Sequence, residues 1–225
     1  MMLFVRYIPF FLQAFLLWLL FRRRAYRTFP FFFAYTAFGV AAGAARFVVH
    51  NRPYARVWTY WSTDAVYILL GTLALFEVFQ GVFRNVTRVW WRHLLFPAII
   101  AAGVFLSIAR MQAVPPQVKD YMIWIITGQI AVRVAQVLTF AALASLTPLL
   151  SLRWPQHSIG IAAGFGMYAT IMLLMTTKLS DYGASFEYIW GVVSLTAYDA
   201  ALLIWMWSFR LSQSSKNPPL GITQS

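Results

Sequence analysis

The stretch Tyr60–Gln80, YWSTDAVYILLGTLALFEVFQ, decides how the rest of the chain is read. It is apolar for long enough to cross a bilayer as a helix, which takes about 20 residues. Yet it carries two carboxylates, Asp64 and Glu77. Hydrocarbon rejects both groups, so a spanning helix that keeps them needs a polar interior for them to face.

Composition supports a spanning helix. Of the 225 residues, 61% are hydrophobic, 18% aromatic and 11% charged. A soluble domain averages about 45–50% apolar and about 25% charged. The chain therefore reads as an all-α integral membrane protein whose partner is the lipid bilayer. Its apolar runs are continuous rather than alternating, which predicts helices and not a barrel. The net charge of +12 does not indicate nucleic acid, because the arginines cluster at the ends of apolar runs and form no polar face of their own. With no cysteine in the chain, disulfides, thiolate catalysis and cysteine-ligated zinc are excluded.

Seven segments are long and apolar enough to span: 3–21, 29–49, 58–83, 94–110, 120–148, 156–177 and 184–209. Pro53, Pro115, Pro116 and Pro155 punctuate the breaks, where a missing backbone donor stops or starts a helix. Residues 1–210 then form one seven-helix bundle, and the polar, proline-containing 211–225 a disordered cytoplasmic tail. The first span is a retained helix rather than a leader, since Arg22, Arg23, Arg24 and Arg27 follow it, only Arg6 precedes it, and no small-residue cleavage site is present.

Positive charge sets the orientation. With the N-terminus outside, the inner side holds Arg22, Arg23, Arg24, Arg27, Arg84, Arg88, Arg92, Arg153, Arg210 and Lys216, ten in all. The outer side holds seven: Arg6, Arg46, Arg52, Arg56, Arg110, Lys119 and Lys178. The first loop dominates, so the N-terminus is expected outside and the C-terminus inside, in the bacterial cytoplasmic (inner) membrane. Trp90, Trp91, Trp154, Trp205 and Trp207 would form an inner aromatic belt, with Tyr54, Trp58 and Trp61 near the outer one.

GVAAG in the second span (Gly39 to Gly43) and GIAAG in the sixth (Gly160 to Gly164) are small-xxx-small faces that let helices approach closely. Their match also fits a weak 3+1+3 repeat, helices 1–3 recurring as 5–7 around a linker helix. That arrangement resembles the small seven-helix sugar transporters of the SWEET type. The third and seventh helices do not align at the same offset.

The intramembrane charges mark the candidate site. Arg133 lies near the middle of the fifth span, with Gln129 and Gln136 on the same helical face. In the seventh span Thr196 and Asp199 share a face, with Tyr198 beside them; in the third, Trp61, Asp64 and Tyr67 do, with Tyr60. By depth, Arg133 and Asp199 both fall within roughly 5 Å of mid-span, whereas Asp64 and Glu77 lie roughly 9 and 10 Å to either side. Arg133–Asp199 is thus the expected ion pair, with Asp64 and Glu77 marking an outer and an inner vestibule. The expected function is binding, translocation or sensing of a small polar solute, ion or proton by a polar interior between helices 3, 5 and 7. The alternative is a non-catalytic accessory or assembly subunit of a larger membrane complex, or a homo-oligomer, which the small-residue faces and aromatic exterior also fit.

Seven helices and the run Arg56-x-x-x-Tyr60-Trp61-x-x-Asp64 resemble the microbial rhodopsins in outline. Covalent retinal requires a lysine in the last span, where the matching depth holds Asp199; Lys119, Lys178 and Lys216 fall in loops or the tail. No cofactor is expected. His50, His93 and His157 sit at span ends on different sides, so no metal site is expected, and no catalytic motif is readable.

Overall fold

The computed structural model describes residues 2–49, 51–83, 92–111, 120–150, 156–182 and 187–211. They form seven α-helices: α1 Met2–Arg22, α2 Pro30–Val48, α3 Pro53–Phe83, α4 Arg92–Met111, α5 Asp120–Leu150, α6 Gln156–Tyr182 and α7 Glu187–Leu211. Five contain stretches long and apolar enough to cross a membrane: Pro30–Val48, Tyr54–Phe83, Thr127–Thr147, His157–Met175 and Tyr188–Arg210. The apolar stretches of α1 and α4, Ile8–Arg22 and Leu94–Ala109, are shorter. The segment expected as a disordered tail lies outside the described residues beyond Leu211, as do His50, Lys119 and the tryptophans at 90, 91 and 154. Lys178, expected in a loop, belongs to the last turns of α6, beyond that helix's apolar stretch.

Local chemistry explains the boundaries. The chain leaves α1 through its arginine run, where Arg24 takes a left-handed conformation at φ 54°, a step that L-residues adopt at a cost. A single 3-10 turn, Ala25–Arg27, follows. Pro30 then opens α2 and Pro53 opens α3, positions where the missing N–H would have had no helical partner anyway.

Six helices close a ring in the order α1–α2–α3–α5–α6–α7 and back to α1, while α4 packs outside it on α5 and α3. Helices α3 and α5 run parallel, Asp64 meeting Gln129 and Gly71 meeting Gln136. The glycine faces are the close crossings. A Cβ on Gly39 would overlap Gln13 of α1, and one on Gly43 would sit 3.0 Å from Phe10. On α6, a Cβ at Gly160 would overlap Ser208, and one at Gly164 would overlap the Trp205 indole, both on α7. Gly39 also comes close to the Tyr67 hydroxyl of α3 and so lies between the preceding and the following helix, whereas Gly43 faces the preceding helix and Gly160 and Gly164 the following one.

The two halves of the ring differ in content. Toward the α1–α2 turn the interior is solid: Leu16, Leu20, Phe32, Leu75, Phe165 and Leu202 are fully or almost fully buried. Phe32 packs edge-on against Trp205 with centroids 5.2 Å apart, and Phe165 lies 5.0 Å from Trp205. Trp205 is not a belt residue: it is 1% exposed and its indole N–H donates to the Ile161 carbonyl at 3.2 Å. Trp207, two positions on, does face outward, as the helical period demands. Toward the α2–α3 turn the ring encloses a cavity.

Gly103 of α4 is the tightest crossing against backbone, since a Cβ there would lie 2.7 Å from the Ala131 carbonyl oxygen of α5. Backbone cannot step aside as a side chain does, so Gly103→Ala is expected to destabilise the fold by about 1–3 kcal/mol. Gly43→Ala, which meets only the Phe10 ring, should cost less. Unfolding of both variants in mild detergent tests the ranking.

Candidate functional site

The cavity holds about 720 Å³ and is walled by residues from all six ring helices. Its polar wall consists of Gln13 on α1, Arg46 on α2, Tyr60, Asp64 and Tyr67 on α3, Gln129, Arg133 and Gln136 on α5, Tyr168 on α6, and Trp190, Ser194 and Tyr198 on α7.

Asp64 is the most heavily bonded group in it. Arg46 Nη2 lies 2.7 Å from Oδ1, and the Gln129 side-chain amide donates to Oδ2 at 2.6 Å. Asp64, expected as the mark of an outer vestibule, is thus paired with an arginine from α2. Arg46 is near the end of α2 and Asp64 lies a few turns into α3, so the short reversal between these antiparallel helices brings them level. Thr63 fixes the geometry. Its hydroxyl bonds the Thr59 and Tyr60 carbonyls at 2.7 and 2.9 Å and accepts from Arg46 Nε and Nη2 at 3.0 and 2.6 Å. The guanidinium also lies over the Tyr60 ring, 4.6 Å from its centroid, a cation–π contact. Arg46 is thus held through Nε and Nη2.

Arg133 is not. Among the described residues no ion pair or hydrogen bond ends on Arg133. The expected Arg133–Asp199 pair is absent, and Asp199 Oδ1 is buried without a partner. The reason is angular. On α7 the cavity wall is built by Trp190, Gly191, Ser194, Leu195 and Tyr198, the spacing of one helical face. Asp199 is about 100° round from Tyr198 and does not line the cavity. Thr196, on the Asp199 side, is exposed and bonds its own backbone at Val192 and Val193. Nor do helices 3, 5 and 7 form a packed trio: α3 and α5 touch, while α7 packs on α6 and α1 across the cavity.

The remaining candidates fall elsewhere. Trp61 packs against Tyr60 at 5.6 Å without lining the cavity. Glu77 lies in a second cavity of about 780 Å³ that shares no lining residue with the first. There its carboxylate accepts the backbone N–H groups of Phe31 and Phe32 at 3.3 and 3.0 Å. Those are orphan donors of the first turn of α2, whose own flanking residue, Phe29, offers no side-chain cap, so Glu77 caps that helix from α3. The two vestibules are separate, divided by buried Ala74, Leu75 and Val78. Sequence reasoning missed Gln13, Arg46, Tyr35 and Tyr168. Gln13 alone carried a signal, as an amide inside the apolar first span.

Among the described residues, no three His, Asp or Glu side chains group as metal ligands do. The class defined here is a helical protein with membrane-span-like helices and a polar cavity inside a helix ring. No protein-family model, curated protein or solved structure matches the chain.

Two measurements check this wiring. A double-mutant cycle of Arg46→Met and Asp64→Asn should give a coupling of about 1 kcal/mol or more, whereas Arg133→Met with Asp199→Asn should be additive within about 0.5 kcal/mol. Glu77→Ala should lower stability by about 1–2 kcal/mol through loss of the α2 cap, and Glu77→Gln should recover part, read by detergent unfolding.

Proposed function

We propose that the chain is an integral membrane protein of seven spans, N-terminus outside, in the bacterial cytoplasmic membrane, and that it binds a small polar solute in the α2–α3-end cavity. The observation that carries this reading is the concentration of polar groups from six helices around one space of about 720 Å³. Hydrocarbon-embedded helices keep such groups when they line a functional interior. Beyond Tyr35 the described residues pack as an aromatic core at the inner end of the cavity. A receptor works in that form. A transporter needs a second state in which Phe32, Phe165 and Trp205 part.

The chain has no cysteine, so single-cysteine labelling is clean. Arg24→Cys and Arg88→Cys should react only with reagent on the cytoplasmic side, and Ser194→Cys with water-soluble reagent from outside. Labelling of position 24 from outside would reverse the orientation, and an unreactive position 194 in folded protein would remove the open cavity. Persistent co-purification with one membrane partner would favour the accessory-subunit reading instead.

A further inference from the structure

The donors and acceptors in the cavity wall do not balance. Its ionisable groups, tyrosines aside, are Arg46, Asp64 and Arg133. Both oxygens of the one carboxylate are taken, by Arg46 and Gln129, which cancels the Arg46 charge and leaves Arg133 in excess. The other polar atoms in the wall lean the same way. The Trp190 indole N–H is buried without a protein partner, and the Gln13 amide and the Tyr198 hydroxyl both turn to the single hydroxyl of Tyr67. An indole N–H is a donor only. Buried donors without acceptors are destabilising, and a guanidinium presents five N–H groups in a fork that matches a carboxylate. The wall thus offers one uncompensated cation and an unmet indole donor among aromatic rings.

We propose that the solute is an anion, bound through a carboxylate or similar oxyanion on Arg133, with its remaining body among Tyr67, Tyr168 and Tyr198. This rests on the reading of the cavity as a solute site and narrows it to one charge class. The Trp190 indole N–H supplies a further donor from α7. Arg46 is not the anchor, because Asp64, Thr63 and the Tyr60 ring already hold it.

The test uses the full chain in phosphatidylcholine nanodiscs and two size-matched probe sets: benzoate, benzamide and benzylamine, and propionate, propionamide and propylamine. Binding is read by calorimetry and by competition with the radiolabelled acid. The acids should bind best. Arg133→Met should weaken the acid roughly tenfold or more while changing amide binding little, and Arg133→Lys should restore part of the loss. Should Arg133→Met fail to fold, Arg133→Lys and Arg133→Gln, compared with each other, carry the same contrast. If amides or amines bind as well as the acids, or if Arg133→Gln leaves acid binding intact, the anion inference falls and the solute reading stands. If no probe of either set binds, both fall. An anionic lipid headgroup has the same chemistry, so the acids are also measured with phosphatidylglycerol in the disc. Loss of acid binding there, dependent on Arg133, assigns the site to a headgroup; unchanged binding assigns it to a dissolved anion.

Discussion

The carboxylate of Asp64 is the constraint around which the cavity half of the molecule is arranged. It draws Arg46 from α2 onto one oxygen and Gln129 from α5 onto the other, and so ties three helices at one level. A charge in a membrane-spanning segment is tolerated only when paired or wetted. Here each oxygen of the acid has a partner, with a side chain that is 12% exposed against 34% for its arginine. The consequence reaches beyond the pair: Arg133, in the same wall, is left without a counter-charge.

Along the chain, the sequence was an accurate guide. The helices begin and end within a few residues of the apolar runs, because hydropathy and proline or arginine punctuation are one-dimensional properties that act where they stand. The stripe Gln129–Arg133–Gln136 was also legible, since three polar residues on one face of an apolar helix define that face without knowledge of its neighbours; all three line the cavity. What failed was pairing between helices. Depth matched Arg133 to Asp199, but depth fixes only the position along the axis. The angle round α7 is set by packing, which turns Tyr198 and Ser194 inward and Asp199 away. Arg46 was counted as a charge marking the outer end of a span, and nothing local to it announces Asp64. The capping role of Glu77 was equally hidden, because its partners lie 45 and 46 positions away in the chain.

Helix α2 is fastened to α3 at both ends, by Arg46–Asp64 at one and by Glu77 on Phe31 and Phe32 at the other. Gln129 ties α5 to the same carboxylate, and α5 also packs along α6. Helices α6 and α7 are joined where Trp205 donates to Ile161 and His157 meets the Ser208 carbonyl at 3.0 Å. The cavity lies inside this ring, with Arg133 on α5 and Trp190 and Tyr198 on α7.

An occupant held on Arg133 that also accepts the Trp190 N–H would draw α5 and α7 together across the cavity. A ligand shifts such an equilibrium by no more than its difference in affinity for the two states, and an unmet buried donor would provide part of that difference. Tyr35 would carry such a change to the other half of the molecule. It lines the cavity and packs on Tyr67 at 5.3 Å, Phe165 at 5.2 Å and Trp205 at 6.2 Å. Interiors packed this closely change between discrete arrangements rather than deforming smoothly. Closure around a bound anion would therefore reach the aromatic core through Tyr35, a cavity-wall ring that is itself part of the buried core.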